Sequence, residues 1–183
     1  MTFFGKLFGG NGNDKINLSL LLNNEIFKNF ILKTDDVSIG YNEINFFKLE
    51  DIENAQIGYS ISENGKSLIG NKNGDWKKNW VVIATDNLGD PIFVDYVDNK
   101  LSVYTSQDGQ GEWEETKIAT SFTNFIEVIN DLQKLSIGRE NPVKIEQNPI
   151  TEKELENFIQ KIENKNVDAE IWFWEGFLEN DDE

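Results

Sequence analysis

The spacing of apolar residues changes from helical to strand-like and back along the chain. In residues 18–32 (LSLLLNNEIFKNFIL), Leu18, Leu22, Ile26 and Phe30 recur at helical spacing and predict one helix with a single apolar stripe. Residues 44–47 read as a short strand leading into a helical turn near 50–55. Residues 58–68 (GYSISENGKSL) alternate with period two around Asn64-Gly65, predicting a strand and a tight turn. Residues 70–80 (GNKNGDWKKNW) are polar and glycine-bearing, predicting an exposed loop. Four strands are predicted in the middle, at 80–84, 92–95, 100–106 and 113–118, with Leu101, Val103 and Thr105 on one face of the third. The connections are only a few residues long, so neighbouring strands must run antiparallel, as a meander.

Helical spacing then returns. Ser121 is placed to cap a helix whose buried face is Phe122, Phe125, Ile126 and Ile129. Residues 137–148, with Pro142 and then Pro149, read as a connection. Thr151 and Glu154 have the spacing of a capping box, with Ile150 and Leu155 as its hydrophobic staple and Leu155, Phe158, Ile159 and Ile162 as the buried stripe. A last helix is predicted to start at Asp168. Its Ile171, Trp172, Phe173, Trp174, Phe177 and Leu178 cover too much circumference for one-sided packing. Either that helix is sandwiched, or part of it is an exposed aromatic surface for a partner.

Composition narrows the chemistry. The 183 residues contain no Cys and no His, which excludes thiolate and imidazole catalysis and any Cys- or His-bearing metal site. No apolar run approaches the roughly 18–20 residues of a membrane span. The opening residues 1–14 lack the pattern of a secretory signal and read as an N-terminal arm, and a cytoplasmic protein is expected. The net charge of −16 opposes binding to nucleic acid and to anionic membranes and favours a basic protein partner. Residues 151–183 hold 11 acidic against 3 basic side chains, half of that excess.

The stretch 80–99 (WVVIATDNLGDPIFVDYVDN) brings four carboxylates together, Asp86, Asp90, Asp95 and Asp98. Counted as a calcium loop from Asp86, the third position is Leu88, glycine falls at the fourth and Val97 stands at the twelfth, so the EF-hand pattern fails. A looser oxygen-ligated cation site on Asp86, Asp90 and Asp95 and a catalytic carboxylate pair are alternatives. The turn reading explains more residues. Asp86 and Asn87 can bond their own backbone, Gly89 can take a positive φ, Pro91 sets up the next strand, and Asp95, Asp98 and Asn99 sit where that strand turns.

The ordered series Val81 to Ala84, Asp86 with Gly89, Ile92 to Asp95, Leu101 to Tyr104 and ATSFTNF (119–125) resembles the core of the SUKH superfamily, which includes Smi- and Knr-type cell-wall-assembly regulators. The resemblance spans about residues 44–132. It implies an α+β fold with a central antiparallel meander flanked by N- and C-terminal helices, and it supplies no catalytic residue. The chain divides accordingly into a SUKH-like domain with its N-terminal arm (1–140), a linker (141–150) and an acidic helical extension packed on the same domain (151–183).

Many bacterial members of that superfamily are immunity proteins that bind and neutralise toxins. The resemblance therefore implies a non-catalytic binding module without cofactor or metal, whose partner is a basic toxin domain, a nuclease among the possibilities. A regulatory scaffold of the same fold and a carboxylate-based or metal-dependent hydrolase are the alternatives. Candidate partner contacts are Trp76 and Trp113 in the glycine-bearing loops, and Trp172, Trp174, Glu175 and Glu179 in the extension, with core packing the competing fate of each tryptophan.

Overall fold

The computed structural model describes residues 18–107 and 112–178. Six strands, β1 (Val37–Ile39), β2 (Asn42–Phe46), β3 (Trp80–Asp86), β4 (Pro91–Asp95), β5 (Val103–Thr105) and β6 (Thr116–Ala119), form one sheet in sequence order. Every neighbouring pair is antiparallel, with Ile44 opposite Asp86, Val81 opposite Val94 and Phe93 opposite Tyr104. Helices precede the sheet, α1 (Leu18–Leu22) and α2 (Glu25–Ile31), and follow it, α3 (Phe122–Ser136), α4 (Pro142–Gln147), α5 (Glu152–Lys165) and α6 (Trp172–Leu178). The fold is the predicted α+β meander.

Strands β3 and β4 are apolar on both faces, so both faces need a cover. On one face Val81, Ile83, Ile92 and Val94 join the core built by the helices, including Phe27, Phe122, Phe125, Ile129 and Phe158. Helix α3 spans that face and touches both edge strands, β1 and β6. On the other face Trp80, Val82 and Phe93 pack with Trp76 from the loop before β3, joined by Tyr59, Tyr104 and Trp113. Trp76 meets Trp80 edge to face at 5.4 Å between ring centroids and lies 4.9 Å from Phe93.

A side chain completes the sheet where β2 ends. Strand β2 ends with Phe46 opposite Ala84, so Val82 has no partner from β2. Buried Gln56, in the 3-10 turn Asn54–Gln56, accepts from the Val82 N–H at 3.1 Å and donates to its carbonyl at 3.0 Å. It also donates to Ile52 at 2.8 Å. One carboxamide therefore does for β3 what a paired residue of another strand would do, and it ties the long loop to the sheet.

The sequence reading differs from the structure in several places, the last helix among them, which begins at Trp172 rather than at Asp168. The predicted helix at 18–32 is broken at Asn23-Asn24, because the Asn24 side chain accepts from the Phe27 N–H at 3.0 Å and starts a new helix out of phase. The buried residues are thus Leu21, Phe27, Phe30 and Ile31, while Ile26 faces solvent. Residues 57–67 form isolated bridges rather than a strand, although the turn at Gly65 is present, with φ 78°. Strand β1 is three residues long and its signal was too short to read. Within the predicted linker, Asn141 caps α4 and Pro142 occupies its first turn, where a missing N–H costs nothing.

The caps at Ser121 and Thr151 form as expected, the second as a full capping box. Buried Arg139, the chain's sole arginine, clasps this region. It donates to the carbonyls of Leu135 at 2.9 Å and Asn148 at 2.8 Å and reaches both carboxylate oxygens of Glu154 at 3.0 Å. Bonds from the Thr151 amide and hydroxyl, and then Arg139, hold the Glu154 carboxyl down at about 2.

Replacing Gln56 tests its bridging role. Gln56→Leu keeps the volume but orphans the Val82 amide and carbonyl, and urea unfolding is expected to show a loss of about 3 kcal/mol. An unchanged midpoint would mean that other groups satisfy Val82.

Candidate functional site

The four central carboxylates lie where strands end. The Asp86 Oδ1 accepts the N–H groups of Leu88 and Asp90, both at 2.9 Å, and Gly89 turns the chain with φ 89°. Asp95 accepts from the Val97 amide at 3.0 Å, and Asp98 accepts from the Lys100 amide at 2.9 Å and from the Ser102 hydroxyl. The Ser102 bond holds the Asp98 carboxyl below its ordinary value. Burial pushes Asp86 above its ordinary value, against the lowering effect of the amides of Asp90 and Leu88. Among the described residues, no group of three or more carboxylates is placed to hold a metal ion.

Helix α6 crosses the end of the sheet at which β3 and β5 finish and β2, β4 and β6 begin. The Trp174 indole N–H donates to the Ile118 carbonyl at 2.9 Å, and Asn42 donates to the Phe177 carbonyl at 3.1 Å. Ahead of the helix, the Glu170 amide donates to the Lys117 carbonyl at 2.7 Å, and Lys117 pairs with Asp168 at 2.6 Å. These bonds cover the free edge of β6, which would otherwise offer unpaired backbone groups.

Between α6 and the strand ends lie two adjoining hollows, of about 230 and 450 Å3. The first is lined by Asp86, Asp90 and Thr105, the second by Glu112 and Glu114, and both by Ser106, Gln107, Thr116 and Trp172. Among the described residues, no lysine or arginine lines either one. Ser106 is 3% exposed, and its hydroxyl has no hydrogen-bond partner among the described residues. On the α3–α5 face several acids are paired with lysines. Asp131 pairs with Lys134 at 2.8 Å and Lys161 at 3.2 Å, Glu127 pairs with Lys165, and these groups line the hollows on the α3–α5 face.

The six expected contact residues separate. Trp76 and Trp174 are 1% and 0% exposed, so they belong to the core and present no surface to a partner. Trp76 is drawn in by the second apolar face of β3 and β4, and Trp174 by the bond to Ile118. Trp113 is half-buried against Trp76 and Tyr59, its amide donating to Gly74 at 2.8 Å. Trp172 is 54% exposed beside the hollows, and Glu175 is exposed on the same helix. Glu179 lies outside the described residues, as does the N-terminal arm through residue 17. Sequence reasoning missed Ser106 and the acids Glu112 and Glu114, which carry no local motif.

An antiparallel meander with helices on one face, an aromatic loop cluster on the other and an acidic recess at one end defines an α+β scaffold whose distinctive features are surface features. The family comparison agrees. Residues 24–128 match the model of the SMI1 / KNR4 family (SUKH-1), and the chain belongs to that family. No curated protein and no solved structure matches the chain. Among the described residues no helix is long and apolar enough to cross a membrane.

Asp86 supplies a test with a definite sign. Asp86→Asn retains an acceptor for both turn amides and removes a partly desolvated charge, so stability at neutral pH should rise by up to about 1 kcal/mol. Because the folded-state pKa lies above 3.8, the gain is absent where Asp86 is protonated in both states and opens as pH rises above that value. Urea unfolding at about pH 3 and about pH 7 measures it. A variant less stable than the parent at neutral pH would contradict this reading.

Proposed function

We propose that the chain is a non-catalytic bacterial immunity protein that neutralises a toxin domain in the cytoplasm by forming a stoichiometric complex with it. The observation that carries this reading is the match of residues 24–128 to the SMI1 / KNR4 family (SUKH-1), since the resemblance to the SUKH superfamily implies that many bacterial members are immunity proteins. The charge of −16 supports a basic partner, which it would steer toward the acidic end of the sheet before close contact forms. A nuclease toxin suits this charge, since its active site must attract phosphate. The strand-end carboxylates are engaged with backbone amides, which supports a structural role for them rather than an acid–base pair.

Co-expression tests the proposal. The toxin is sought as the variable C-terminal domain of a large secreted protein encoded beside this chain. The expected result is rescue of growth, a one-to-one complex in solution, and association that slows about tenfold or more as salt is raised. Protection at far below equimolar amounts would overturn the reading in favour of catalysis. Failure to bind or protect against any such neighbour would overturn it in favour of a regulatory scaffold.

A further inference from the structure

We propose that Asn64 is a site of spontaneous deamidation, at which the Asn64-Gly65 sequence passes through a cyclic imide to aspartate and isoaspartate. Among the described residues Asn precedes Gly twice, at Asn64-Gly65 and at Asn73-Gly74, both in the long segment between β2 and β3. Sequence alone does not separate the two. In each, a following glycine leaves the attacking main-chain nitrogen unshielded and its backbone free to rotate. Both asparagines are also exposed. What differs is the surroundings of each carboxamide and of each glycine.

Asn64 stands at the tip of a turn closed by the Ser62 amide, which donates to the Lys66 carbonyl at 2.8 Å. The Asn64 side-chain oxygen accepts from the Ser62 hydroxyl at 2.6 Å and from the Lys66 amide at 3.3 Å. The Lys66 carbonyl is the more distant acceptor for that hydroxyl, at 3.1 Å. When the Gly65 nitrogen attacks the Asn64 Cγ, negative charge develops on this same side-chain oxygen. Both donors then strengthen their bonds in the transition state. Gly65 has φ 78° and no side chain to block the approach. Its N–H donates to the Ser62 carbonyl at 2.8 Å, and that turn bond has to open before the nitrogen reacts. At an exposed loop tip such opening is a local fluctuation of low free energy.

The surroundings of Asn73 oppose the reaction. Gly74 forms a bridge with Trp113, whose amide donates to the Gly74 carbonyl at 2.8 Å. A Cβ added at Gly74 would lie 2.7 Å from the Glu112 side chain, so this backbone has little room to turn. The next residue, Asp75, folds back and accepts the Lys72 amide at 2.8 Å. Asn73 therefore shares the reactive sequence but is held in place by a neighbouring segment, whereas Asn64 is held only by its own turn.

The conversion needs water and no other co-reactant. The Gly65 nitrogen loses its proton and bonds to the Asn64 Cγ, the Cγ–Nδ2 bond breaks, and ammonia leaves with that proton. Water then opens the imide. Cleavage between the nitrogen and Cγ gives aspartate. Cleavage between the nitrogen and the main-chain carbonyl carbon gives isoaspartate and lengthens the main chain by a methylene inside the turn. Either product adds a carboxylate to the loop tip.

Incubation of the full chain in mildly alkaline buffer, then proteolysis and mass spectrometry with electron-transfer fragmentation, tests the assignment. Cleavage after Lys66 and Lys72 puts the two asparagines on separate peptides. In the folded chain Asn64 should gain the mass of the amide-to-acid change about tenfold faster than Asn73, with isoaspartate among its products. In the urea-unfolded chain the two should convert at similar rates. Ser62→Ala should slow Asn64 about threefold, and Ser62→Thr, which keeps the hydroxyl, should react like the parent. Asn73 converting as fast as Asn64 in the folded chain would overturn the proposal. So would an Asn64 that stays intact in the folded chain while it reacts in the unfolded one. A Ser62→Ala chain that reacts as fast as the parent would remove the hydroxyl from the reaction and overturn the assisted route.

Discussion

The structure depends on burying β3 and β4 from both sides. Val81, Val82, Ile83, Ala84, Ile92, Phe93 and Val94 are all withdrawn from water. At about 25 cal/mol per Å2 of apolar surface, such strands dominate the favourable side of folding only if both faces are covered. The helices supply one cover. The other is a long irregular segment, and a loop with so few ladder bonds needs anchors. Trp76 provides apolar area, and the Gln56 carboxamide provides the hydrogen bonds that β2 cannot reach.

Two-sided burial also explains where the polar chemistry lies. Carboxylates are excluded from the strand interiors and collect at the ends, where they accept turn amides. At one end α6 is laid across the strands, held by Trp174 and Asn42. Turn acids that serve the fold are thereby brought beside Trp172 and the buried Ser106. Asp86 illustrates the compromise. Its side chain organises the β3–β4 turn, yet burial works against its charge.

Much of the fold was legible because its signals are local. The apolar strands, the Ser121 cap and the Thr151–Glu154 capping box each depend on residues within a few positions of one another. What escaped depends on distant partners. Gln56 is one polar residue among many until the end of β2 leaves it Val82 to bond. Arg139 matters because α5 brings Glu154 to it. Trp76 sat in a polar, glycine-bearing stretch that reads as solvent-exposed, and only the second apolar face of the sheet draws it inside. In the extension the difficulty was phase. With apolar residues nearly all round α6, spacing alone could not tell that Trp174 points into the core and Trp172 away from it.

The proposed partner surface is the acidic end of the sheet with α6, where the strand-end carboxylates serve the fold first. Hydrogen–deuterium exchange of the chain, free and saturated with the toxin domain proposed as its partner, tests that placement most directly. Protection is expected to concentrate in residues 105–107, 112–116 and 172–177. Protection confined to the α3–α5 face, with those segments unchanged, would contradict it.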